Sequence, residues 1–284
     1  MSSLEELLFG AGLGEYGTVM RLCGSGVDDD PGRPIFCRIG SKYLLRNKII
    51  RLIPPHKKYV EPFAGSSAIF FAKPKAEKNV LNDLDPITIR GLNLLRNAPT
   101  DLTKYPDAKT IPEHKALFNR KVTTVGDRIG KQIVHTCSGF SGNPVLLEKH
   151  IYRSPSIQTK VRHIGEFKEK LKGVSITSKD YAKVISANDG PDTFFFLDPP
   201  YEKTDKRFGY AESTGFDFER LAKVLGTIKG DFLMTINDSP RIRDLFKAFY
   251  QRPFIADTNM RTSPGASTKK YERKELYISN YKLP

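Results

Sequence analysis

From Lys42 onward, short apolar runs bounded by turn residues alternate with stretches of helical periodicity. That alternation restricts the chain to an α/β architecture built on a largely parallel sheet. The pattern predicts strands at 58–61, 79–82, 174–177, 193–197 and 231–236. Helices are predicted at 41–53 (ended by Pro54-Pro55), from near Ser66, at 86–97, from Phe218 to about Ile228 and from Pro240 to about Phe249. Two last runs, near 253–257 and 275–280, have no helix between them and are read as an antiparallel pair closing the sheet.

Candidate chemistry sits where these strands end. Thr193-Phe194-Phe195-Phe196-Leu197 reads as a buried strand and runs into Asp198-Pro199-Pro200-Tyr201. The prolines fix φ and carry no N–H, so this is a stiff lip with free carbonyl acceptors. Asp198 adds a carboxylate and Tyr201 a flat ring. Acceptors beside a stacking face are what a planar exocyclic amine needs to become a nucleophile. Upstream, 56–68 (with Glu61, Phe63, Gly65 and Ser66) reads as a strand, a small-residue turn and a helix start, where backbone N–H groups can meet a ligand. It lacks the Gly-x-Gly-x-x-Gly pattern. About twenty residues on, Asn79-Val80-Leu81-Asn82-Asp83 is a second strand ending in an acid, placed to accept from ribose hydroxyls.

These stretches, with Arg38-Ile39-Gly40-Ser41-Lys42 before them and Lys274-Glu275-Leu276-Tyr277-Ile278-Ser279-Asn280-Tyr281 at the end, resemble in content and order the DNA adenine methylase (Dam) family of S-adenosylmethionine-dependent DNA methyltransferases. The resemblance runs from about residue 34 to the end. It implies a Rossmann-like class I methyltransferase sheet with an antiparallel terminal strand pair and an inserted, mainly helical target-recognition region. It sets Arg38 and Lys42 near the methionine end of the cofactor, and Glu61, Phe63 and Gly65 along it. It likewise puts Asp83 on the ribose and Asp198 between the cofactor and the target amine, with Pro199, Pro200 and Tyr201 completing the catalytic motif. The position of Arg38 is often aromatic in relatives. In such folds an acid after the third strand can meet the cofactor's adenine. Asp180 fits that role and fits equally well as the cap of the next helix.

The expected organisation is a flexible tail over 1–33, a catalytic domain over 34–102 and 171–284, and an insertion over 103–170 where the alternation lapses. The insertion carries Arg128, Lys131, Lys149, Arg153, Lys160 and Arg162. The reading as recognition puts these groups on phosphates and a few polar groups on bases, and the plainer reading is a solvated helical insertion. Lys269, in the Gly-containing loop 261–270, is a second candidate phosphate contact. The chain's 46 Lys+Arg exceed its 32 Asp+Glu, a net charge of +14, which favours a polyanionic partner through counterion release. Three cysteines, at 23, 37 and 137, have no metal-ligand spacing and argue against a zinc site or a disulfide scaffold. No apolar stretch reaches membrane-spanning length and no signal-peptide pattern opens the chain, so the expectation is a soluble intracellular protein, monomer or weak homodimer, free of metal.

The function expected is methyl transfer from S-adenosylmethionine to adenine N6 in duplex DNA, with the base flipped out of the helix. Cytosine-N4 or RNA adenine methylation would use the same amine chemistry. A DNA-binding protein whose catalysis has lapsed would keep the fold. Restriction-modification, replication marking and viral genome modification would all use this reaction.

Overall fold

Seven strands pair into one sheet in the order β3-β2-β1-β4-β5-β7-β6. They are β1 (Lys58–Glu61), β2 (Lys78–Asn82), β3 (Ser175–Thr177), β4 (Thr193–Leu197), β5 (Asp231–Asn237), β6 (Tyr250–Thr258) and β7 (Tyr271–Ser279). The computed structural model describes residues 33–36, 38, 40–99, 121–137, 157–202, 215–258 and 271–284, with a few positions between 110 and 119. All of these fall in the unit Gly32–Pro284. The expected tail over 1–33 lies almost wholly outside the described residues.

β1 pairs in parallel with β2 and with β4, and β4 in parallel with β5. β7 enters antiparallel between β5 and β6. Strand residues alternate between two cores, as the period of two requires. Tyr59, Phe194, Phe196 and Leu233 join one core, and Val60, Phe195, Leu197, Phe232 and Met234 the other. Because both faces are covered, β4 is buried at every position, and its sequence is correspondingly apolar throughout. The β6–β7 hairpin extends beyond the runs near 253–257 and 275–280, pairing Tyr250 with Ser279 at one end and Thr258 with Tyr271 at the other. Backbone pairing carries the arm past its apolar section.

The helices between the strands are α1 (Arg46–Ile50), α2 (Ala68–Ala72), α3 (Pro86–Arg96), α4 (Val125–Cys137), α5 (Ile157–Val161), α6 (Ile164–Lys170), α7 (Tyr181–Asn188), α8 (Phe218–Leu225) and α9 (Pro240–Leu245). Several are shorter than periodicity suggests, each for a local reason. The segment expected as one helix over 41–53 opens with a 3₁₀ turn, Lys42–Leu45. α2 stops at Lys73, whose extended backbone is the conformation a following proline demands. α8 stops at Gly226, whose N–H reaches the carbonyls of Ala222 and Val224.

The described helices of the 103–170 segment do not stand apart from the catalytic layers. α4 buries Ile129, Ile133 and Val134, and α6 buries Ile164 and Phe167, all in the core that holds Tyr59 and Phe194. Gln132 on α4 donates to the Ile87 carbonyl on α3 at 3.2 Å, and the Phe167 ring lies 4.6 Å from that of Phe71. Burial of such side chains is worth about 1.5–3 kcal/mol each, so these helices help hold the sheet together.

Candidate active site

Strand order reverses at β1, which has β2 on one side and β4 on the other. In open parallel sheets the crevice at such a reversal, beyond the carboxyl ends of the strands, is where ligands bind. The loops after β1, β2 and β4 meet there, and each carries one of the sequence motifs.

Backbone groups organise the β1–β2 side. Asn82, at the end of β2, staples the loop after β1: its Nδ2 donates to Pro62 O at 3.0 Å and to Lys179 O at 2.8 Å, while its carbonyl accepts from Ala64 N at 2.8 Å. Gly65 sits at φ +48°, a conformation that favours glycine, and no atom lies within 4 Å of the place a Cβ would occupy. Its N–H donates to Asp83 Oδ2 at 2.8 Å, and Asp85 N donates to Asp83 Oδ1 at 2.9 Å. Burial pushes the Asp83 carboxyl above its ordinary range, against the pull of those two N–H groups. Arg38 pairs with Asp85 at 2.5 Å. Ser67 also has positive φ, and its hydroxyl is buried without a partner. Phe63 packs against Tyr181 and Phe216, with ring centres 5.2 and 5.7 Å away. A small cleft opens beside the loop, bordered by Ile35, Phe36, Arg38, Gly65 and Ser66.

Side chains organise the β4 side. The Lys42 ammonium, 7% exposed, meets both oxygens of Asp198 at 2.7 and 2.8 Å and donates to Gly40 O at 2.9 Å. Thr235 on β5 donates to Asp198 Oδ1 at 3.1 Å. Ser41, next to Lys42, shares a 2.7 Å hydrogen bond with Ser66, so one short turn touches the loops of both β1 and β4. Tyr201 is buried, and its hydroxyl donates to Glu275 Oε2 on β7 at 2.8 Å. Lys42 Nζ lies 5.0 Å from the centre of the Tyr201 ring. Pro199 is buried and Pro200 half-buried. Beyond them, Glu202 anchors the motif's exit, its N–H on Asn237 Oδ1 and its carboxylate on Ser239 and Arg241.

The structure therefore brings Lys42, Phe63, Gly65, Asp83, Asp198 and Tyr201 around one crevice. Three further candidates, Glu61, Asp180 and Lys160, are engaged within the protein. Glu61 is 1% exposed and accepts from the Tyr59 hydroxyl at 2.7 Å and from Phe70 N at 3.0 Å. It supports the strand and the start of α2 from within. Burial lifts its carboxyl from 4.5 to about 7. Asp180 caps α7 through Ala182 N and pairs with Arg220 through both oxygens at 2.8 and 2.7 Å, which holds its carboxyl below the ordinary range. Lys160, expected on phosphate, is buried with its ammonium on the Pro34 carbonyl at 3.1 Å. Arg162 is exposed and Lys131 partly so. Lys149, Arg153 and Lys269 lie outside the described residues.

Residue-by-residue reading of the sequence missed Thr235, Glu275 and the stapling role of Asn82. Asn82 and Glu275 fall inside the quoted stretches, and nothing in their immediate neighbours shows what they bind. Among the described residues no group of His, Cys, Asp and Glu could hold a metal ion, and no helix is long and apolar enough to cross a membrane.

The family model of D12 class N6 adenine-specific DNA methyltransferases matches residues 39–123 and 148–259. A DNA N-6-adenine-methyltransferase of Escherichia phage P1 is 26% identical in an alignment 259 residues long that covers 79% of this chain and 32% of the phage protein. The chain thus spans about a third of that relative. The type II methyltransferase M.CviBI of Paramecium bursaria Chlorella virus NC1A is 24% identical over 235 residues, 78% of this chain and 89% of the viral protein. Among solved structures, a putative RNA methyltransferase of Pyrococcus horikoshii overlays with a TM-score of 0.41 at 8% identity, covering 100% of both chains. With the family model matching more than half of its length, the chain belongs to the D12 class N6 adenine-specific DNA methyltransferases, a family whose reaction implies a methyl donor and a DNA substrate.

Proposed function

We propose that this chain transfers a methyl group from S-adenosylmethionine to N6 of an adenine flipped out of duplex DNA. One observation carries the reading: Asp198 at the end of β4 faces the same strand-order reversal as the Gly65–Asp83 loop pair at the ends of β1 and β2. A carboxylate able to accept from an amine thus stands across the crevice from a loop shaped to hold a nucleoside. The loop fits such a cofactor on its own terms. The space above Gly65 is open, the Ser67 hydroxyl is buried without a partner, and Asp83 offers a carboxylate for ribose hydroxyls.

Bound there, S-adenosylmethionine supplies a methyl group already activated on a sulfonium. The chain's own residues then have an orienting task. Asp83 and Gly65 fix the cofactor's ribose end, and Phe63 covers its flank. Asp198 accepts from the target amine and, with the Pro199 carbonyl, turns its lone pair toward the methyl carbon. As positive charge grows on N6, Asp198 stabilises it electrostatically. Thr235 holds the carboxylate in place. Flipping is required because N6 of a stacked, paired adenine is engaged in the duplex.

The part of the 103–170 segment beyond the buried helices, with Lys149 and Arg153, and the loop carrying Lys269 serve DNA recognition in this reading. The enzyme works inside the cell as a monomer or weak homodimer. The test is incubation with tritiated cofactor and, in parallel, mixed-sequence duplex DNA or RNA, followed by nucleoside analysis. N6-methyl-2′-deoxyadenosine as the labelled nucleoside is the expected product. Label in cytosine, or in RNA alone, would overturn the reading.

A further inference from the structure

Lys42 reveals what Asp198 and Tyr201 together are placed to hold. Its ammonium, almost fully buried, rests on both Asp198 oxygens and 5.0 Å from the centre of the Tyr201 ring. A carboxylate and an aromatic ring are the contacts a desolvated cation seeks. In the proposed reaction the target amine becomes cationic as it takes the methyl group, so the same two groups suit the charge that develops there. A second carboxylate stands behind the ring. Glu275, 4% exposed on β7, accepts the Tyr201 hydroxyl at 2.8 Å. The Arg273 guanidinium lies 3.9 Å from the other Glu275 oxygen and 5.8 Å from the ring centre. A carboxylate accepting from a phenol pushes electron density into the ring and fixes its plane.

We infer that Glu275 is a positioning residue for methyl transfer, which through the Tyr201 hydroxyl makes that ring a fixed, electron-rich wall of a site for positive charge. The inference rests on the methyltransferase reading above and adds a residue on the last strand, 74 positions from its partner. A merely structural role would ask only for an acceptor at this place. The role inferred here asks for a charged one.

Glu275→Gln separates the two, because the amide oxygen still accepts the hydroxyl while the charge is gone. The expected result is a single-turnover methylation rate lower by about tenfold or more, with cofactor affinity within about twofold of wild type. Tyr201→Phe is expected to slow the reaction to a similar degree. The double variant is expected to be no slower than the slower single, since the two residues act as one unit. A near-normal rate in Glu275→Gln, or a double variant whose loss is the product of the single losses, overturns the inference. Should Glu275→Gln fail to fold, Tyr201→Phe decides alone, and a wild-type rate in it is equally fatal. Rates are followed on whichever nucleic acid the wild-type chain labels. Failure of the adenine reading then appears in the wild-type product, and failure of this inference in the variant rates. A wild-type chain that labels no nucleic acid overturns both.

Discussion

The two sides of the crevice are held by different means. On the side proposed for the cofactor, Asp83 is held by backbone amides: Gly65 N–H meets it across 18 positions, and Asp85 N–H across two. On the side proposed for the amine, the contacts between side chains join residues far apart. Lys42 reaches Asp198 across 156 positions, Thr235 across 37, and Glu275 reaches Tyr201 across 74. A backbone cradle tolerates many side chains provided a few small residues remain. A side-chain cluster fails when any one member is lost, because a buried charge is left unpaired. The two sides should therefore respond differently to substitution.

The largest effect is expected at Asp198. Asp198→Asn keeps the shape of the side chain but removes its charge, and the methylation rate should fall by a factor of at least about 100. Cofactor affinity should change little, since the cradle is built elsewhere. A correctly folded variant with near-normal turnover would show that the amine side does not do the chemistry.

Glu61 tests the support beneath the cradle. Its carboxyl keeps its proton to about pH 7 in the folded chain, against 4.5 for the ordinary value. As pH rises, the unfolded state loses that proton first, so the group's contribution to stability declines between 4.5 and about 7 and levels off above. Glu61→Gln keeps an acceptor for Tyr59 and Phe70 without a charge to bury. It should remove that decline and stand roughly 3 kcal/mol above wild type near neutral pH. Chemical denaturation across this pH range gives the comparison, and parallel curves for the two proteins would refute it.

Asp83→Ala strikes the cradle itself. A charged acceptor on a hydroxyl is worth roughly 1.5–3 kcal/mol, or about tenfold to a hundredfold in cofactor affinity, while DNA affinity should hold. Unchanged cofactor binding by calorimetric titration would mean that Asp83 serves only the loop's own N–H groups.

The contrast also explains what the sequence made legible. Strand ends are local, so Asp83 and Asp198 could be placed by counting along two apolar runs, and the β4 run that precedes Asp198 is apolar because both its faces are covered. Partners across the sheet leave no such trace. Lys160 reads as one more surface lysine until its partner, the Pro34 carbonyl 126 positions away, is known. In α4 the apolar spacing of Ile129, Ile133 and Val134 was visible, yet the interleaved Arg128 and Lys131 drew the segment toward a nucleic-acid reading. Amphipathic helices at the rim of a core carry both signals at once.

Asp180 is where local and distant readings compete most evenly, and it gives the smallest expected effect. Its sequence position, just after a strand and just before Tyr181, suits a cofactor contact and a helix cap alike. The structure engages both its oxygens with Arg220 and one of them with Ala182 N. The Arg220 guanidinium also lies 5.0 Å from the centre of the Tyr181 ring, so the pair braces the head of α7 against α8. A cap lost to alanine costs about 1 kcal/mol, whereas asparagine caps nearly as well as aspartate, and an exposed ion pair adds little. Asp180→Ala should therefore lower stability by about that amount, Asp180→Asn by less, and both should bind the cofactor within about twofold of wild type. If Asp180→Asn kept its stability but lost tenfold in cofactor affinity, the carboxylate would belong to the ligand, and the cofactor side would reach beyond the loops of β1 and β2 to the end of β3.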